Sequence, residues 1–186
     1  MMVVALSTDI KNWVVGVLIT ALLAFGCYWA GEYFTYSSFW FAWTLNLLGT
    51  LWFSLTASLF KPELNSSYFQ AKPFEQGGTI YRYAGVYYFR KLLEWRTWDK
   101  LGKVKSPINK NIATLQKAEY DTKIAELNHT VLAVLVLILT MLLTTTLKEA
   151  RCLLITNLFL HIYPILVQRY NRPRYQRVIC QLKNKV

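Results

Sequence analysis

Two clusters of polar residues stand inside or beside apolar runs, where polar groups are costly and therefore first candidates for function. Asp121, Lys123, Glu126 and His129 form the first, at the entry to a long apolar stretch. Glu126 and His129 are three residues apart, which on a helix puts them on one face. A carboxylate beside an imidazole fixes its tautomer and raises its basicity, as a general base requires. The competing reading is a solvated helix start with ordinary ion pairs. The second cluster holds Asn157, His161, Pro164, Gln168, Arg169, Tyr170, Asn171, Arg172, Pro173 and Arg174. His161 lies four residues after Asn157 and seven before Gln168, so the three can line one stripe toward a bundle interior. Pro164 lacks an N–H and frees a backbone carbonyl about one turn earlier. Arg169, Arg172 and Arg174 then offer guanidinium forks that match phosphate or carboxylate oxygens. The alternative for the arginines is a basic anchor at a membrane surface, and for His161 a hydrogen-bonded bundle residue.

Asp121, Glu126, His129 and His161 can be written down as a metal site, but the chain has only two histidines and no H-x-x-H or H-x-x-x-H pair. No metal and no cofactor are expected, and a bound lipid or pigment is left open. Cys27, Cys152 and Cys180 show neither metal spacing nor a disulfide framework. G-x-S-x-G, P-loop and G-x-G-x-x-G motifs are missing, and no serine or cysteine nucleophile has a convincing partner. Direct transfer, with a base activating an acceptor hydroxyl, is favoured over a covalent intermediate.

The elements that position these groups follow from composition. The 186 residues are 54% hydrophobic, 16% aromatic and 17% charged, with mean hydropathy +0.26. A soluble domain carries about 25% charged residues, so this chain reads as an integral membrane protein. A bilayer core of about 30 Å needs roughly 20 apolar residues in a helix. Residues 13–30, 39–60, 130–147 and 152–168 meet or approach that. Residues 61–129 carry twelve Lys and Arg and the tail from Arg169 six, while the link between the first two spans has none. Four spans with the basic parts on one side predict both termini and residues 61–129 in the cytoplasm. The net charge of +11 is explained by this topology, and nucleic acid is not expected as a partner.

Within the long cytoplasmic segment, residues 80–98 mix aromatic, aliphatic and basic residues. On a helix, Tyr81, Ala84, Tyr88, Leu92 and Trp95 share a face, and Arg82, Arg90, Lys91 and Arg96 can meet lipid phosphates. Packing of that helix on the spans is the compatible alternative. Residues 112–128 read as a helix running without interruption into the third span. The fold class is all-α: four transmembrane helices plus an amphipathic interfacial helix. Residues 1–60 form an N-terminal pair of spans, 61–129 the cytoplasmic and interfacial segment, and 130–186 a C-terminal pair with a basic tail.

The segment PILVQRYNRPR (residues 164–174), preceded by DTKIAELNH (residues 121–129), resembles the small bacterial membrane proteins of the glycosyl-diaponeurosporenoate acyltransferase family. The run of Tyr88, Phe89, Arg90 and Lys91 is similar to an aromatic-basic stretch upstream in that family, so the likeness covers roughly Phe74 to the C-terminus. The resemblance implies transfer of a fatty acyl chain to a sugar hydroxyl, closing a staphyloxanthin-type carotenoid synthesis. It also implies roles. His129 would take the proton of the acceptor hydroxyl with Glu126 orienting it, and Arg169 and Arg172 would hold an anionic headgroup or the phosphates of an acyl carrier. Gln168 and Asn171 would donate to the developing oxyanion. Membrane lipids and an apolar or glycolipid substrate are the expected partners. Two other classes compete: an accessory subunit or assembly factor of a larger membrane complex, and a lipid- or pigment-binding protein without turnover.

Overall fold

The computed structural model of the chain describes residues 2–60, 62–95 and 111–184. Among them every regular element is helical, and the chain packs as two compact units, each discontinuous in sequence. Three helices are long and apolar enough to cross a membrane by length and composition: Asp9–Phe34, Ile112–Leu143 and Leu147–Lys183. The expected fourth span folds as a helix of 22 residues, Phe39–Phe60. Trp40, Trp43, Asn46 and Trp52 dilute its apolar character, so composition does not place it with the other three.

The first unit comprises Met1–Glu63 and Asn128–His161. Helix α1 (Met2–Phe34) turns back into α2 (Phe39–Phe60) through Thr35, which takes a left-handed φ of 65°. Ser38 closes the turn, its hydroxyl accepting from the Phe41 amide at 3.1 Å. Ala30, Phe41, Ala42, Leu45, Val136 and Leu153 form the core. Trp52 Nε1 donates to Thr20 Oγ1 at 3.0 Å and ties α2 to α1. Glycine at position 49 lets Leu132 pack close, since a Cβ there would lie 2.9 Å from its Cδ2. Outward, Trp13, Leu22, Tyr33 and Met141 are exposed, as suits side chains facing lipid.

Helix α5 (Ile112–Leu143) is continuous, as the periodicity from residue 112 predicts, and gives its part from Asn128 onward to this unit. The connection to α6 (Leu147–Asn157) falls at residues 144–146 rather than at Lys148 and Arg151, which lie inside α6. The cause is local. Thr146 caps α6 by accepting from the Glu149 amide at 3.3 Å, and Glu149 Oε2 accepts from the Thr145 amide at 2.9 Å. After α6 comes a π-helical turn, Leu158–Ile162.

The second unit comprises Leu64–Leu127 and Ile162–Val186. Two 3₁₀ turns, Ser67–Phe69 and Pro73–Gly78, lead into α3 (Ile80–Tyr83) and α4 (Val86–Trp95). The single helix expected over residues 80–98 is therefore two, because Gly85 takes φ +79° between them. Tyr88 and Leu92 of the expected apolar face are exposed on α4, whereas Tyr81 turns to a buried carboxylate described below. Arg96 and residues 97–98 of that expected helix lie outside the described residues. Helix α7 (Tyr163–Lys183) runs through Pro173 and stacks Tyr163 on Phe89 at 4.9 Å between ring centroids.

Candidate functional site

In the second unit a carboxylate of α5 meets two guanidiniums of α7. Arg169 Nε donates to Glu126 Oε1 at 2.7 Å, and Arg172 Nη2 donates to Glu126 Oε2. Glu126 is 0% exposed and Arg172 2%, so a buried carboxylate holds one buried guanidinium and one, Arg169, that is half-buried. Arg172 also donates through Nε to Thr122 Oγ1 at 3.1 Å, through Nη2 to the Thr122 carbonyl at 3.1 Å, and through Nη1 to the Phe69 carbonyl at 3.3 Å. Four of the five guanidinium N–H donors of Arg172 are thus used within the second unit.

Arg169 has a second carboxylate. Its Nη1 donates to Glu75 Oε1 at 2.8 Å and its Nη2 to the Tyr68 carbonyl at 3.1 Å, with the Tyr68 ring 4.5 Å from the guanidinium carbon. Tyr81 donates its hydroxyl to Glu75 Oε1 at 2.7 Å, and the Lys72 amide donates to Glu75 Oε2 at 2.9 Å. Burial pushes the Glu75 carboxyl up, but the bonds from Tyr81, the Lys72 amide and Arg169 outweigh it and hold it below its usual range. Burial, and the Glu75 carboxylate it serves, push the Tyr81 hydroxyl up. Arg169 stays at the wall of a pocket of about 400 Å³ that it shares with Tyr68, Lys72, Tyr81 and Leu166. Arg174 is exposed and folds over its own Tyr170 ring at 3.9 Å. Asp121 is exposed, while Gln168 and Asn171 are half-buried.

The imidazoles belong to the first unit. His129 Nδ1 and His161 Nδ1 are 3.2 Å apart, and His161 Nε2 lies 2.6 Å from Asn46 Oδ1. The oriented base expected from Glu126 and His129 is therefore not built that way: both Glu126 oxygens are held by arginines, and His129 has an imidazole as its partner. His161 sits on the π turn, a distortion frequent at functional positions. Asn157 is buried beside it in sequence; its Nδ2 donates to the Ala133 carbonyl at 3.0 Å, and its Oδ1 is unpaired among the described residues.

His161 and Asn46 are polar points in the wall of a cavity of about 520 Å³, within the range of small-molecule sites, about 300–1,000 Å³. The rest of the wall is mainly apolar, with Leu23, Leu48, Leu135 and Leu139 among its residues. From Leu132 to Leu143 the α5 wall rises roughly 16 Å. Sequence reasoning missed Asn46, Glu75, Tyr81 and Thr122. An amide within an uncharged apolar stretch was a usable signal for Asn46, while Glu75 sits in a turn-rich stretch with no spacing to mark it.

The family model described as glycosyl-4,4'-diaponeurosporenoate acyltransferase matches residues 65–181. No curated protein and no solved structure matches the chain. Glu75, Glu126, His129, His161, Arg169 and Arg172 fall within the matched stretch; Asn46 and the cavity walls from α1 and α2 precede it.

Proposed function

The chain belongs to the glycosyl-4,4'-diaponeurosporenoate acyltransferase family, and from that premise we propose that it moves a fatty acyl group onto a hydroxyl of an apolar, glycosylated acceptor of the carotenoid kind. His129 takes the hydroxyl proton as the oxygen attacks the acyl carbonyl carbon. The new ester C–O bond forms, the bond from that carbon to its carrier breaks, and the proton passes to the departing group, which restores the neutral imidazole. The donor is an activated acyl ester or thioester. The observation that carries this reading is the His129–His161–Asn46 chain, of which His161 and Asn46 line an apolar cavity. An oriented base and a dry slot for a hydrocarbon chain are what such a transfer needs.

The second unit is assigned its own part. Arg169 is balanced by Glu75 and Glu126, so Lys72 gives its pocket the excess positive charge, which suits an anionic group on a lipid or acyl carrier. Gln168 and Asn171 can donate amide hydrogens to a bound polar group, and Asp121 and Arg174 face outward for a headgroup. Glu126 holds the two arginines instead of orienting the base. We take α2 as a fourth span and α4 as lying in the interface. We place both termini and residues 61–129 on the cytoplasmic side of the bacterial inner membrane, on the distribution of Lys and Arg.

The test is ester formation by purified protein in lipid, from a labelled acyl thioester and a glycosylated apolar alcohol, with His129→Ala beside wild type. Wild type should form ester and His129→Ala should not; equal turnover in both removes the base. A second reading, an accessory subunit of a larger membrane complex, is favoured by one observation. Glu126, Arg169 and Arg172 saturate one another, as in a network that only holds helices together. Constant co-migration with a larger complex after mild-detergent extraction would support that reading.

A further inference from the structure

We propose that Asn46, which precedes the family-matched stretch, sets the protonation pattern of the histidine pair and so makes Nε2 of His129 the atom that takes the proton. The inference rests on the acyl-transfer reading for its purpose and on donor and acceptor identity for its content. Asn46 Nδ2 donates to the Ala42 carbonyl at 2.6 Å and to Thr156 Oγ1 at 3.3 Å. A carbonyl only accepts, and the Thr156 hydroxyl is itself donating, to the Cys152 carbonyl at 2.8 Å. The amide nitrogen is therefore fixed on that side, and the Asn46 oxygen faces His161.

That oxygen also only accepts, so the 2.6 Å contact requires a hydrogen on His161 Nε2. In a neutral His161 the lone pair is then on Nδ1, aimed at His129 Nδ1 3.2 Å away. Two lone pairs do not face each other at that distance, so His129 Nδ1 carries the hydrogen between them. The lone pair of a neutral His129 is left on Nε2. Protonation there keeps the Nδ1–H···Nδ1 bond intact, so His161 supports both states of the base. Asn46 is thus a positioning residue that acts through His161, and α2 completes the site in addition to anchoring it.

The chain has only two histidines, so protein labelled with 15N-histidine gives two ring systems in long-range 1H–15N spectra, recorded in detergent micelles above the pH range of imidazole titration. Wild type is expected to show one Nδ1–H ring, His129, and one Nε2–H ring, His161, assigned with His129→Gln. Two Nε2–H rings would overturn the proposal. Asn46→Leu should release His161 into a mixture of tautomers and lower kcat by about tenfold or more. Asn46→Asp should restore the pattern as the neutral acid, whose carbonyl oxygen accepts from the same Nε2–H while its hydroxyl donates to the Ala42 carbonyl. Spectra and kcat unchanged in Asn46→Leu would contradict it. The spectra need no turnover, so a failure of the acyl-transfer reading and a failure of this inference are seen separately.

Discussion

Glu126 takes a guanidinium on each carboxylate oxygen, Arg169 on Oε1 and Arg172 on Oε2. Replacing it by Gln leaves two partly buried cations with half their compensation, which costs about 3–5 kcal/mol in buried pairs. Glu126→Gln should therefore unfold at markedly lower denaturant or temperature than wild type, followed by helical circular dichroism; equal stability would deny the network its role. His129→Gln is expected to behave oppositely, keeping the fold and losing about 10²–10⁴-fold in kcat. A pH effect belongs to Glu75. Its folded carboxyl ionises below its usual range, so its contribution is fully present above that range and is lost as pH falls through the lowered value. The stability gap between wild type and Glu75→Gln should be widest near neutral pH and close on acidification; a gap independent of pH would contradict this. How far these partners were readable from sequence differs by residue. Glu126, His129 and the arginines announced themselves as costly groups at apolar edges. The partner of His129 did not, because helix spacing favours the neighbour three residues away and is blind to an imidazole 32 residues on.

Helix α5 and the apolar parts of α1 and α6 were legible because their periodicity and length are strong signals. The breaks were harder to place, because each is made by one residue. Gly85 at φ +79° splits the expected interfacial helix, and Thr146 moves the start of α6 ahead of the two basic residues that looked like a link. Gly78 is the most demanding of these positions. It has φ +93°, and a Cβ there would lie 2.8 Å from the Tyr170 carbonyl oxygen, where backbone cannot give way as a side chain can. Gly78→Ala should cost about 1–3 kcal/mol, read as a lowered Tm. Gly26→Ala, whose Cβ would meet only Leu48 Cδ1 at 3.4 Å, should leave Tm little changed and serves as the comparison. Similar losses in both would show that the close approach at Gly78 is not what matters.

Three apolar helices and a basic excess of +11 describe a chain that belongs in a membrane. The proposed orientation puts Cys180, exposed near the end of α7, on the cytoplasmic side. A membrane-impermeant maleimide should modify Cys180 in inside-out vesicles and spare it in right-side-out ones; the reverse pattern would invert the topology. Family membership reached the reaction class because the motif around Arg169 and Arg172 is long, while the proposed proton path depends on Asn46, which lies ahead of the matched stretch. The account as a whole stands on the histidine pair as the seat of acyl transfer. Its most direct measurement is the initial rate of ester formation by His161→Phe, corrected for folded protein and set beside wild type. An aromatic ring is kept while the support for His129 is removed, so a fall of about 10²-fold or more is predicted; a rate equal to wild type would contradict the account.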